Sequence, residues 1–161
     1  MSSMIKEGQQ APDFELSDQD GEPVRLSQFR GRKVVLYFYP KANTPGCTTQ
    51  ACGVRDHASD YAGVDAVVLG VSPDPIKAVR KFHDKQDLNF TLLADEDHAI
   101  SEQYGVWVEK SMYGKTYWGA SRTTFVLDEQ GVVRKVIKKV KPETHDEDVL
   151  AALRELEQAT A

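Results

Sequence analysis

A short apolar run, followed at once by a turn and a helix that carries both cysteines, constrains this chain more than any other feature. Residues 34–39 read Val-Val-Leu-Tyr-Phe-Tyr and form the most apolar run in the sequence. A continuous run of β-branched and aromatic residues, closed by Pro40, predicts a buried strand. Residues 44–46, Thr-Pro-Gly, predict a turn, and residues 48–60 predict a helix.

Strands and helices alternate along the rest of the chain. A second buried strand is predicted at residues 66–71 and a short one at 90–94, with helices at 76–87, 95–105 and 144–158, and hairpins at 13–26 and 122–140. Such alternation predicts an α/β sandwich with helices on both faces of a sheet.

An aromatic-rich segment follows a short edge strand predicted at residues 106–108. We interpret residues 109–120 as a loop that contains Met112, Tyr113, Tyr117 and Trp118. Apolar side chains concentrated in a loop either form a pocket wall or pack as a patch on the body of the protein. We expect a pocket wall.

The spacing of the only two cysteines suggests redox chemistry. Cys47 falls on the first turn of the predicted helix, where unpaired N–H groups and the helix dipole stabilise an anion such as a thiolate. Cys52 lies five residues on, about 7.5 Å along the helix and about 140° around it. A disulfide needs Cα atoms within about 7 Å. The two sulfurs can therefore join only if the helix unwinds locally, for which Gly53 is a plausible hinge.

Other interpretations of these residues are weaker. The cysteines could be inert core residues, which is a common role for cysteine. A zinc site needs three or four protein ligands, and only His57 lies near the pair in the sequence. A structural disulfide would close a very small loop. The acidic residues before His98 suit a helix start without any metal ion. We therefore expect no metal and no organic cofactor.

Composition narrows the class of partner. The 161 residues carry a net charge of −5, and we expect a single domain over residues 1–161 without affinity for nucleic acid. The sequence contains no run of about 18 apolar residues, as a membrane span would require, and its first residues lack the apolar centre of an export signal. We expect a cytoplasmic protein, in which a dithiol is redox-active or metal-binding.

Several motifs resemble those of one known family. Residues 37–40 (Tyr-Phe-Tyr-Pro), 44–49 (Thr-Pro-Gly-Cys-Thr-Thr) and 51–52 (Ala-Cys) are similar to the peroxiredoxin Q family, also called bacterioferritin comigratory protein. The similarity continues at residues 11–14 and 122–128. It implies a thioredoxin-like fold, with a central mixed sheet, helices on both faces and an added N-terminal hairpin. Two positions depart from the family pattern, because Asn43 and Gln50 replace residues that are usually acidic.

The resemblance also implies a reaction and a set of site residues. Cys47 would attack a hydroperoxide and become a sulfenic acid, which Cys52 would convert to a disulfide that thioredoxin reduces. Arg122, the Thr44 hydroxyl and the Cys47 backbone N–H would stabilise the leaving oxygen, and Pro40 would shield the thiolate. The glutamate that Gln50 replaces is expected to orient the arginine, and Gln50 can still accept a hydrogen bond. We expect a monomer.

The sequence is also compatible with non-catalytic roles for these residues and with two other functions. Arg122 could be a surface ion-pair partner, and Thr44 could be a turn residue alone. A general thiol-disulfide oxidoreductase would fit the same fold, although such proteins usually carry Cys-x-x-Cys. A non-catalytic binding module on a thioredoxin-like scaffold is the third possibility.

Overall fold

The computed structural model describes residues 4–42 and 44–160, and two sheets contain its strands. The strands are β1 (Glu15–Asp18), β2 (Pro23–Arg25), β3 (Lys33–Phe38), β4 (Ala66–Ser72), β5 (Thr91–Ala94), β6 (Trp107–Met112), β7 (Lys115–Ala120), β8 (Thr123–Leu127) and β9 (Val133–Ile137). The helices are α1 (Pro45–Asp56), α2 (Ala58–Gly63), α3 (Ile76–Lys85), α4 (Ala99–Gln103) and α5 (His145–Thr160). No helix among the described residues is long and apolar enough to cross a membrane.

Strand β3 lies near the centre of the larger sheet, whose order is β2-β1-β5-β4-β3-β8-β9. It pairs in parallel with β4 and antiparallel with β8, and all six of its residues are buried. The N-terminal hairpin of β1 and β2 joins the sheet through an antiparallel pairing of β1 with β5. The predicted mixed sheet and N-terminal hairpin are therefore confirmed.

Helices cover both faces of this sheet. The side chains of β3 alternate between the two faces and contribute to an apolar cluster on each. Val35 and Tyr37 face a cluster that includes residues of α1, α2, α3 and α5. Leu36 and Phe38 face the opposite cluster, to which Phe14 and Tyr104 contribute from the N-terminal segment and the end of α4. The prediction of helices on both faces is confirmed.

The cysteine-bearing helix starts earlier than predicted and divides in two. Helix α1 begins at Pro45, whose ring presets a helical φ angle and whose missing N–H needs no partner there. It ends at Asp56, because His57 departs from helical backbone angles, and α2 follows directly.

The predicted loop at residues 109–120 is wrong. Strands β6 and β7 pair antiparallel over this segment, and Met112 pairs with Lys115 across a two-residue turn. Tyr113 and Gly114 both have positive φ angles, of 53° and 77°, as such tight turns require. Tyr113 is 97% exposed and Trp118 is 52% exposed, so these aromatic side chains stand in solvent and do not form the expected pocket wall.

Candidate active site

Cys47 is the third residue of α1, at the point where the chain leaves the central strand and turns into the helix. The connecting segment is fixed by the buried Asp74, whose carboxylate accepts a 2.7 Å hydrogen bond from the Ala42 N–H. The backbone N–H groups of Gly46 and Cys47 belong to the first turn, where no helical carbonyl is available. The sulfur therefore lies at the positive end of a twelve-residue helix.

A guanidinium group lies directly against this sulfur. Arg122, the residue before β8, donates a hydrogen bond from Nη2 to Cys47 Sγ at 3.3 Å. A Cβ atom at Gly46 would stand 3.1 Å from the same Nη2, so the glycine leaves room for the arginine to reach over the helix start. A cation in this position stabilises a thiolate electrostatically. This contact makes the surface ion-pair interpretation of Arg122 wrong.

Gln50 orients the arginine from the next turn of α1. Its Oε1 accepts a 2.7 Å hydrogen bond from Arg122 Nη1, and its side chain is fully buried. The hydrogen bond expected of Gln50 is therefore confirmed, although the residue brings no charge. Asn43, the other departure from the family pattern, lies outside the described residues.

Thr44 and Pro40 flank the site without a hydrogen bond to the sulfur in the described geometry. Thr44 directly precedes α1, its carbonyl accepts the Thr48 N–H at 2.8 Å, and its hydroxyl donates to the Lys41 carbonyl at 3.0 Å. Pro40 is half-buried and follows the last residues of the β3 segment. Thr44 thus stabilises the turn that precedes Cys47.

The Cys47 side chain is buried. Cys47 is 1% exposed, whereas Gly46 and Arg122 above it are half-exposed. The thiol thus lies just beneath the surface.

Cys52 lies on a different face of α1, as the helical spacing predicted. It is half-buried, its Sγ is 3.5 Å from Gln86 Oε1, and both cysteines are free thiols. Gly53 does not have the surroundings of a hinge: a Cβ atom there would stand 2.3 Å from Asp146 Oδ2. The glycine permits close approach of α5 instead.

Two titratable groups near Arg122 were missed by sequence reasoning. Lys110 donates a 2.6 Å hydrogen bond from Nζ to the Ala120 carbonyl, and burial and the nearby Arg122 charge lower the pKa of Lys110. His145 is fully buried, its Nε2 is 2.9 Å from Thr124 Oγ1, and burial followed by Arg122 lowers its pKa from 6.5 to about 4. Neither carries a local sequence signal, because each reaches the site from a distant element.

The helix predicted at residues 95–105 is shorter than expected, because α4 spans Ala99–Gln103 and the acidic segment precedes it. The buried Asp95 carboxylate accepts hydrogen bonds from the backbone N–H groups of Ile100 and Ser101, at 3.2 and 2.8 Å.

The His98 ring stacks on Trp107 with centroids 4.0 Å apart. In the part of the chain that the structure describes, no cluster of three or more His, Cys, Asp or Glu side chains is arranged to hold a metal ion.

A mixed sheet that delivers a thiol to a helix N-terminus beside a guanidinium, with a second thiol on the same helix, defines a cysteine-based redox protein of the thioredoxin-like class. Comparisons with known proteins specify this class further. The AhpC/TSA family matches residues 7–136. Peroxiredoxin Bcp of Escherichia coli strain K12 is 51% identical over 153 residues, which cover 94% of this chain and 97% of that protein.

Solved structures agree with this assignment. A mutant PrxQ of Xylella fastidiosa superposes with a TM-score of 0.91 at 30% identity, covering 97% of this chain and 99% of that one. The bacterioferritin comigratory protein of Xanthomonas campestris, described in terms of its alkyl peroxide reduction activity, gives a TM-score of 0.84 at 38% identity and covers 89% and 91% of the two chains. The chain belongs to the AhpC/TSA family and is a peroxiredoxin. Peroxiredoxins are thiol peroxidases, which act on peroxides and are recycled by thioredoxin-type reductants.

Proposed function

We propose that Cys47 is the residue that reacts with peroxide and that Cys52 resolves the product. The observation that carries this assignment is the 3.3 Å contact between Arg122 Nη2 and Cys47 Sγ at the N-terminus of α1. A guanidinium and a helix dipole act together on one sulfur, and both favour its ionised, nucleophilic form. The Cys52 sulfur instead lies 3.5 Å from the neutral Gln86 side chain. Arg55, which interacts electrostatically with Cys52, donates its hydrogen bonds to Asp56 and to the Gln86 carbonyl.

The first step transfers one oxygen atom. A lone pair of the Cys47 thiolate attacks the terminal oxygen of the hydroperoxide, an S–O bond forms, and the O–O bond breaks. The leaving oxygen takes both electrons of the broken bond and a proton, and departs as water or an alcohol. Arg122 stabilises the charge that develops on this oxygen, together with the Cys47 backbone N–H. The Thr44 hydroxyl, which donates to the Lys41 carbonyl in the resting structure, is the third donor that we propose for this oxygen, and Pro40 shields the thiolate from water.

The second step removes the oxygen from sulfur. The Cys52 thiolate attacks the Cys47 sulfur, an S–S bond forms, and the S–O bond breaks to release hydroxide, which is protonated to water. Two electrons have then passed from the two thiols to the peroxide. An external dithiol restores the pair by thiol-disulfide exchange, and we propose that thioredoxin supplies it. No metal or organic cofactor takes part in this sequence.

The substrate range, assembly and location of the protein form part of the same proposal. We expect hydrogen peroxide and organic hydroperoxides to react, since the related Xanthomonas campestris protein is described as reducing alkyl peroxides. We also expect a monomer that acts in the cytoplasm.

A coupled assay tests the proposal and separates it from its rivals. The protein is mixed with thioredoxin, thioredoxin reductase and NADPH, and NADPH oxidation is followed with and without hydrogen peroxide. A peroxidase consumes NADPH only when peroxide is present, a thiol-disulfide oxidoreductase reduces an added disulfide without peroxide, and a binding module does neither. Cys47→Ser should abolish turnover, and normal turnover by that variant would refute the assignment. Cys52→Ser should react once and accumulate sulfenic acid, as measured by intact mass.

A further inference from the structure

The second half of α1 is fastened to the rest of the protein from two sides. On one side Gln86, in the connection after α3, lies 3.5 Å from Cys52 Sγ through its Oε1 and accepts a 2.6 Å hydrogen bond from Arg55 Nη1 through its carbonyl. Asn89 in the same connection donates from Nδ2 to the Arg55 carbonyl at 3.2 Å. These contacts fix the segment that carries Cys52 relative to the sheet.

On the other side, one buried carboxylate contacts three residues at the end of α1 and in α2. Asp146, the second residue of α5, is 6% exposed. Its Oδ1 accepts a short hydrogen bond from the Tyr61 hydroxyl. Its Oδ2 occupies the space beside Gly53 and lies 3.7 Å from His57 Nδ1, which is itself 2.8 Å from the Gly53 carbonyl. A carboxylate buried in this way is costly unless it is paired, so its contacts specify one position of this segment.

The first half of α1 is held differently. Pro45 and Thr49 are exposed and Gly46 is half-exposed, whereas Cys47, Gln50 and Ala51 are buried. The polar contacts described from other elements to this half come from the single side chain of Arg122, to Cys47 and Gln50. This half therefore has fewer polar anchors to other elements than the half that carries Cys52. Gly53 is packed against Asp146 and cannot serve as the hinge while that contact lasts.

We propose that Asp146 is a positioning residue for disulfide formation: it keeps the Cys52 half of α1 fixed, so that the helix opens over residues 47–51 and Cys47 moves to Cys52. This inference rests on the proposed function. The carboxylate touches neither sulfur and acts through Gly53, His57 and Tyr61. A fixed attacking thiol needs less reorganisation to meet a mobile partner than two mobile thiols need to find each other.

Two kinetic phases separate this inference from the proposed function. The reduced protein is mixed with hydrogen peroxide in a stopped-flow instrument, and samples are quenched for intact mass. The first phase, whose rate rises with peroxide concentration, reports sulfenic acid on Cys47 and so tests the proposed function. The second phase, whose rate is independent of peroxide, reports the Cys47–Cys52 disulfide. Absence of the first phase would refute the proposed function itself, whereas the inference concerns the second phase alone.

Substitutions at position 146 should change only the second phase. Asp146→Ala is expected to slow disulfide formation roughly tenfold and to leave the first phase within about twofold. Asp146→Asn, which can still accept the Tyr61 hydrogen bond, should restore most of the rate. Tyr61→Phe removes that hydrogen bond without altering position 146, and should slow the second phase in the same direction. Asp148→Asn is the matched control, because Asp148 is an exposed acid of the same helical turn.

Hydrogen exchange measured by mass spectrometry tests the position of the opening directly. In the disulfide form, amides of residues 44–51 should lose protection while those of residues 53–61 keep it. In oxidised Asp146→Ala, residues 53–57 should lose protection as well. The inference is overturned if Asp146→Ala forms its disulfide at an equal or higher rate, or if the wild-type disulfide exposes residues 53–61 and leaves residues 44–51 protected.

Discussion

The buried His145 should make this protein sensitive to mild acid, and its substitution should remove a defined part of that sensitivity. The ring is fully buried at the start of α5, 2.9 Å from Thr124 Oγ1 and 5.5 Å from the centre of the Tyr37 ring. Burial and the positive charge of Arg122 lower the pKa of His145 from 6.5 to about 4. The folded state therefore holds this histidine neutral, whereas the unfolded chain protonates it more readily.

The sign of the effect follows from proton binding. Between pH 6.5 and about 4 the unfolded state binds more protons at this position than the folded state does, so the free energy of unfolding falls as the pH falls. Each pKa unit corresponds to about 1.4 kcal/mol. The contribution of His145 should thus decrease by about 2.5 kcal/mol between pH 7.5 and 4.5, and by about 3 kcal/mol at pH 4.

Urea unfolding at several pH values measures this contribution. Tryptophan fluorescence follows the wild type and His145→Gln, whose amide can reach Thr124 but does not titrate in this range. Other groups titrate in both proteins, so the difference between them isolates His145. The wild type should lose about 2.5 kcal/mol more than His145→Gln between pH 7.5 and 4.5. Parallel losses in the two proteins would refute the reasoning.

Three further predictions concern the site and its support. Arg122→Gln should slow oxidation of Cys47 by peroxide about 10²–10³-fold with little change in disulfide formation, as measured by stopped-flow fluorescence; an unchanged rate would contradict the role of the guanidinium. Gln50→Leu leaves Arg122 Nη1 without its 2.7 Å partner and should slow the same step roughly tenfold, whereas Gln50→Glu should retain the rate; equal rates for both variants would be the contrary result. A Cβ atom at Gly70 would stand 2.8 Å from Tyr37 Cζ, so Gly70→Ala should lower the free energy of unfolding by about 1–3 kcal/mol. The control Gly63→Ala meets no atom within 4 Å and should change it by less than about 0.5 kcal/mol.

The fold was predictable where local sequence and tertiary environment agree. The run at residues 34–39 is apolar throughout, and the strand it forms is buried on both faces. The position of Cys47 at a helix start was equally predictable, because Pro45 presets a helical φ angle and lacks an N–H group that would need a partner there, although the helix begins at Pro45 and not at residue 48. Arg122 was found through its place in a family motif, although nothing in its immediate neighbours indicates a thiol partner 75 residues away.

Features that depend on distant contacts could not be read from the sequence. Gly53 reads as a flexible position, yet its role follows from Asp146, which is 93 positions further along and occupies the space beside it. The sequence of the β6–β7 hairpin predicts a loop, since its exposed strands carry apolar and polar side chains without the pattern of a half-buried sheet. The pKa values of Lys110 and His145 are lowered by burial and by the charge of Arg122, and no local sequence pattern indicates either cause.

The contact between Arg122 and Cys47 also makes the conformation of the helix start depend on the charge of the Cys47 sulfur. While the sulfur is an anion, attraction across 3.3 Å favours the helical arrangement of the residues that carry it. In the proposed cycle the protonated sulfenic acid is neutral, so the guanidinium loses its counter-ion when the oxygen is transferred. On this proposal the helix start is most stable in the reduced protein, and oxidation of Cys47 itself weakens the attraction that the following opening of the helix has to overcome.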